Sequence, residues 1–222
     1  MSTTTRDTAA PATPARRPRT STALNAGILA GPIFLAVSFA QIPFRDGFDV
    51  TKHAFSFLLI GPGAGLQIVN YLLVGALYAL SGVGLRRTLD ARSGRLAQLL
   101  ATGLGVGLVV AGLFPPPPSF GYPRGAPAGM PSQLSASAVL HGVGFGLGVI
   151  SWCVLLLLLA ASLRRRAQHR WAVLALITGL ALLLVPATST QPYGTVALYI
   201  IVTAAYAMTS LLYARLSAST AG

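Results

Sequence analysis

Six stretches of this chain are apolar for about the length of a bilayer-crossing helix, and short polar or basic segments separate them. The hydrocarbon layer is about 30 Å thick and a helix rises 1.5 Å per residue, so each crossing needs roughly 20 predominantly apolar residues. The stretches are Leu24–Phe44, Gly65–Leu85, Leu96–Phe114, Ser137–Leu163, Trp171–Ala187 and Thr195–Tyr213. The fifth is short and meets Pro186, so its end is the least sharply defined. The expected fold class is all-α: a polytopic membrane protein whose six transmembrane helices form a bundle. Residues 1–23, rich in Thr, Ala, Pro and Arg, bring too little apolar surface to offset ordering entropy and read as a disordered basic cytoplasmic tail. Residues 24–215 form the six-helix transmembrane domain and 216–222 a short cytoplasmic tail. The arginines ahead of Leu24, with small residues at Ser38 and Ala40, imitate a cleaved signal peptide. The run is longer than a signal core, which favours a retained first helix.

Composition agrees. Of the 222 residues 54% are hydrophobic and 9% charged, and mean hydropathy is +0.69, whereas a soluble domain carries about a quarter charged residues. The net charge of +12 acquires meaning from its positions. Arg6, Arg16, Arg17 and Arg19 precede the first helix. Arg86, Arg87, Arg92 and Arg95 join the second to the third, and Arg164, Arg165, Arg166 and Arg170 the fourth to the fifth, while Arg215 follows the sixth. The alternate connections hold only Arg45, Lys52 and Arg124. This asymmetry places both termini in the cytoplasm and the chain in the cell membrane. The clusters read as topology anchors in reach of anionic lipid head groups. No basic stretch is interleaved with aromatics on a soluble module, so nucleic acid is not an expected partner. The single Cys153 excludes an internal disulfide and reads as a small buried hydrophobe. Gly27 and Gly31, Gly103 and Gly107, and Gly142, Gly144, Gly146 and Gly148 have the spacing of helix-packing surfaces, not of phosphate loops.

Candidate chemistry gathers on the outer side, where Gln41, Gln67, Asn70 and His141 join the charged stretch Phe44–Gly61. Asp49 is placed to cap a short interfacial helix beginning at Val50 and ended by Gly61-Pro62-Gly63. Asp49, Lys52, His53 and Ser56 would share one face, with Phe48, Phe55, Leu58 and Leu59 opposite. That helix would roof an outward-facing polar pocket, with His141 as third member beside Asp49 and His53. Asp46, Asp49, His53, Asn70, His141 and Arg124 are the expected ligand contacts. A carboxylate beside a histidine suits proton transfer, so Asp49, His53 and His141 are also catalytic candidates, with Ser56 as a weaker nucleophile. Asp49, His53 and His141 make up a two-His, one-carboxylate set as well, and a metal ion there stays open as the minor alternative. No other cofactor is expected: three histidines split between two sides do not supply the facing pairs of a two-haem bundle. The leading function is binding or passing a small or lipidic ligand through the outer pocket. The alternative is a membrane-embedded hydrolase or lipid-modifying enzyme. Nothing in the residues specifies oligomeric state.

Gly47-Phe48-Asp49 with His53, Ser56 and Gly61, then Asn70 and Gly75, Phe114-Pro115 and His141-Gly142, together resemble a bacterial family of six-helix membrane proteins catalogued as domain of unknown function nine-nine-eight. The resemblance spans nearly the whole chain beyond the tail. It implies six helices and an integral membrane location, and no established reaction. Members commonly carry an aspartate soon after the Phe-Pro pair, where this chain has Pro116, Pro117, Pro118 and Ser119.

Overall fold

The computed structural model describes residues 18–188 and 194–219. Most of the expected basic tail, and Ser189, Thr190, Gln191 and Tyr193 between the fifth and sixth apolar stretches, lie outside the described residues. Among the described residues, five helices are long and apolar enough to cross a membrane: α1 (Pro18–Gln41), α2 (Ala64–Thr88), α3 (Ala91–Leu113), α4 (Ala136–Arg165) and α7 (Gly194–Ser219). Between the last two lie α5 (His169–Ala181), a 3-10 turn (Leu182–Leu184) and α6 (Val185–Thr188), of which His169–Leu184 counts as a shorter apolar helix. Among the described residues there is no strand, only an isolated bridge between Ser119 and Tyr122. The chain is a multi-pass integral membrane protein.

Helix ends follow local chemistry more than hydropathy. The first helix starts at Pro18, inside the segment expected to be disordered; proline suits a first turn because its missing N–H has no partner there. The third starts at Ala91, ahead of the expected Leu96, because the Asp90 carboxylate accepts the Ser93 N–H at 3.0 Å and caps a polar first turn. Those Ser93 hydrogen bonds also hold the Asp90 carboxyl below the usual carboxylate range. Ser135 caps the fourth by accepting the Ala138 N–H at 3.2 Å. Pro186, expected to close the fifth stretch, lies inside α6.

In a bilayer the outer faces of the helices need not be polar, and large apolar side chains such as Leu99, Val143, Ile150 and Ile200 point outward. Lipid is as apolar as leucine, so helices associate through close backbone approach and internal polar contacts. α2 packs between α1 and α3, α3 against α4, α4 against α5, and α7 closes back on α1. Glycine permits the tightest crossings. A Cβ on Gly107 would stand 2.5 Å from the Gly148 nitrogen and 2.6 Å from the Gly144 oxygen of α4. Gly27 and Gly31 face Tyr213, Tyr206 and Ser210 of α7, whereas Gly142 and Gly146 face open space. The four glycines of α4 are thus two packing positions and two outward ones.

The basic connections meet at one end of the bundle. Arg165 lies 3.6 Å from Asp90 and donates to Ser93 Oγ at 3.3 Å, Arg166 donates to the Thr88 carbonyl, and Arg215 stacks over the Trp171 ring at 4.4 Å. The opposite end carries residues 42–63 and the loop between α3 and α4.

Candidate functional site

The charged stretch is not an α-helix. A 3-10 turn (Ile42–Phe44) leads into a tight turn at Asp49, and a second 3-10 helix covers Phe55–Leu59. The turn forms because the Asp49 carboxylate binds its own downstream backbone: Oδ1 accepts the Thr51 N–H at 2.9 Å and the Thr51 hydroxyl at 2.6 Å. This local Asx bonding competes with helix formation. Lys52 adds an ion pair at 3.0 Å to Oδ2. The Thr51 hydroxyl and N–H, then Lys52, hold the Asp49 carboxyl down at about 2.

His53 therefore leaves the face expected for it. Its ring is 2% exposed and lies among Phe48, Phe57 and Tyr122 at centroid distances of 5.4, 5.3 and 5.2 Å. Nδ1 accepts the backbone N–H of Asp49 at 2.8 Å, so the ring proton sits on Nε2, which donates to the Phe120 carbonyl at 3.0 Å. Both nitrogens are committed. The His53 carbonyl accepts the Tyr199 hydroxyl of α7 at 2.9 Å. His53 thus joins the turn, the loop between α3 and α4, and the last helix. The Asp49 carboxylate, turned to Thr51 and Lys52, is not its partner.

His141 stands apart from that assembly. Its Nδ1 lies 3.0 Å from the Ala111 carbonyl and 2.9 Å from that of Phe114. Carbonyls only accept, so Nδ1 carries the proton and Nε2 of the neutral ring is left as an acceptor. The two carbonyls are ones that the end of α3 cannot satisfy within the helix. Among the described residues no group of three or more His, Cys, Asp or Glu could hold a metal ion, and Asp49, His53 and His141 are not brought together as one. Asp46 pairs with Arg124, at 2.5 Å between Oδ2 and Nε, on the exposed rim.

The larger polar assembly lies between α1 and α2. Asn70 Nδ2 donates to the Phe34 carbonyl and Ser38 Oγ, each at 3.2 Å, and Gln67 Nε2 donates to Ser38 Oγ at 2.9 Å. Gln41 Nε2 donates to Gln67 Oε1 at 2.7 Å, and Arg45 Nη2 to Gln41 Oε1 at 2.9 Å. Arg45, only 7% exposed, has no carboxylate partner among the described residues. Its guanidinium donates instead to the carbonyls of Leu58, Pro62 and Gly63. Asn70 Oδ1, fully enclosed, has no hydrogen-bond partner among the described residues. Sequence reasoning singled out Gln41, Gln67 and Asn70 but missed Ser38 and Arg45. The available signal was that Ser38, Gln41 and Arg45 recur at i, i+3 and i+7 along one face of an apolar helix.

Beneath the 42–63 segment is a cavity of about 80 Å³ lined by Ala54, Phe55 and Ser56 from that segment and by residues of α1, α2, α3, α4 and α7. His141 and Ser56 both line it, but Phe34, Leu108, Phe145, Val149 and Val202 make the wall predominantly apolar. Of the polar groups expected to face such a cavity, His141 lines it, whereas Gln41, Gln67 and Asn70 bond to one another between α1 and α2.

A bundle of apolar helices with a mainly apolar cavity defines a class of membrane protein without defining a reaction. The family model described as "Protein of unknown function (DUF998)" matches residues 28–216, and the chain belongs to that family, as the sequence resemblance indicated. No curated protein and no solved structure matches it.

Proposed function

We propose that this protein binds or passes a small apolar ligand, or the end of a lipid chain, in the cavity beneath the 42–63 segment. The supporting observation is that the segment's Phe55 and Ser56 share a mainly apolar cavity with His141, whose Nδ1 is occupied by carbonyls. His141 Nε2 then accepts a hydrogen bond from a ligand head, and the apolar wall takes the tail. Ligands of this kind should raise the melting temperature of the purified wild-type protein and leave that of Val202→Phe, which fills the cavity, unchanged. An equal rise in both proteins would refute the reading. The alternative, a hydrolase or lipid-modifying enzyme, draws on Ser56 and His141 lining one cavity, and it alone requires product to be released from ester ligands in the same assay.

In this reading the chain crosses the membrane six times. Leu182 lines the cavity together with Leu198 of α7 and the 42–63 segment, so the helical run from His169 reaches the cavity end from the basic end. The basic end faces the cytoplasm and the 42–63 segment the outside. A membrane-impermeant thiol reagent should label Ser56→Cys from outside intact cells and Ser93→Cys only after permeabilisation; the reverse pattern would invert the orientation.

A further inference from the structure

At the basic end, on residues none of which lines the cavity, α4 and α5 border a groove of about 640 Å³. Its walls are Leu157, Ala160, Ala161, Ala172, Val173 and Leu176, and its rim carries Arg164, Arg165 and His169. The two helices run antiparallel, so Leu157 and Leu176 lie at the groove's deep end, seven residues from Arg164 and His169. Seven residues of helix are about 10 Å. The groove is therefore apolar over roughly a third of the hydrocarbon thickness and cationic at the level of the head groups.

The charges are not equally engaged. Arg165 bonds to Ser93 and pairs with Asp90, Arg86 donates to Gln98 and Arg166 to the Thr88 carbonyl. Arg164 and His169 are exposed and have no side-chain hydrogen bond or ion pair among the described residues. Among the described residues the acid at this end is Asp90, which is held by Ser93 and Arg165 and does not line the groove. A zwitterionic head group would bring its own cation to this rim, and a second copy of the same face would set its arginines against these. One anionic phospholipid satisfies both parts of the groove, with an acyl chain along the alanines and its phosphate at the rim.

We propose that the α4–α5 groove is a binding site for an anionic phospholipid, with Arg164 and His169 holding the phosphate and Ala160, Ala161 and Ala172 admitting the chain. Basic pockets between transmembrane helices recognise acidic head groups in this way. Because the Arg164 and His169 side chains have no hydrogen-bond or ion-pair partner among the described residues, removing them leaves the fold in place, and because the groove shares no lining residue with the cavity, its test stands apart from the proposed ligand function.

The test uses the full chain in detergent, titrated with phosphatidylglycerol and with phosphatidylcholine of the same acyl chains, and read by native mass spectrometry and by melting temperature. Phosphatidylglycerol should bind more tightly, and the preference should fall about tenfold in the Arg164→Gln/His169→Gln double variant, which removes the guanidinium and the imidazole donor from the rim. Ala161→Trp, which leaves the charges and blocks the groove, should lose the bound lipid. Equal binding of the two lipids, an unchanged preference in the double variant, or retention by Ala161→Trp would each overturn the proposal. Glycerol phosphate matching the stabilisation given by phosphatidylglycerol would overturn it too, since the site would then recognise a free anion.

Discussion

Arg45→Ala should lower the unfolding free energy by about 3 kcal/mol, the range expected when a buried charged donor is removed and its acceptors are stranded. The guanidinium serves Gln41 Oε1 at 2.9 Å, the Leu58 carbonyl at 3.0 Å and the Gly63 carbonyl at 2.7 Å, and it also binds the Pro62 carbonyl. These acceptors come from the end of α1, from the 3-10 helix and from the turn that starts α2. One side chain therefore ties the two ends of the 42–63 segment together. Lysine cannot reproduce a planar fork, so Arg45→Lys should recover only about half of the loss. Arg124→Ala is the matched control. Its pair with Asp46 is exposed on both sides, and such pairs contribute about 0–1 kcal/mol. Denaturant unfolding in detergent measures all three. A loss below about 1 kcal/mol for Arg45→Ala, the worth of one ordinary hydrogen bond, would show that the segment is held in place by other contacts.

Gly107→Ala should destabilise by a similar amount, about 3 kcal/mol, from overpacking. The added methyl would meet backbone atoms of Gly144 and Gly148 between 2.5 and 2.6 Å away, and backbone cannot rotate aside as a flexible side chain can. α3 and α4 would have to separate, and the Ala111 and Phe114 carbonyls would be drawn away from His141. Gly142→Ala, made one helix across and facing open space, should be neutral or gain up to about 1 kcal/mol from helix propensity. Thermal melts of the two variants side by side provide the comparison. Equal losses would mean that the α3–α4 contact is not governed by its glycines.

The helices were legible because length and hydropathy report directly on the solvent a helix must enter, and in a bilayer that constraint outweighs local preference. Their ends were less so. Arg92 and Arg95 argued against helix before Leu96, yet the Asp90 cap and the water beyond the membrane let α3 begin at Ala91. The 42–63 segment failed differently. The sequence places Asp49 as the cap of an α-helix, and its carboxylate does accept downstream donors. It accepts them within two residues, which closes a turn instead of opening a helix. His53 was then turned inward, and the assumed neighbour of its ring, the carboxylate, was replaced by a backbone N–H. The partners of Arg45 are largely carbonyls from distant segments, and no pattern of side chains in a sequence records where a carbonyl will point. The apolar character of the cavity was hidden for a related reason: helical spacing shows which residues share a face, but not which face meets another polar one.

The Tyr199 hydroxyl that reaches the His53 carbonyl bridges positions 146 apart in the chain, and the Tyr199 ring also packs edge-on against Phe55 at 4.3 Å. Synthesis proceeds from the N-terminus, so the first connecting loop emerges long before the helix that will hold it. The cover over the cavity thus cannot be fully fastened until the last helix has entered the bundle. A chain cut short before Tyr199 would lack this tie to the last helix and keep the loop's bonds to Arg45 and to the Phe120 carbonyl.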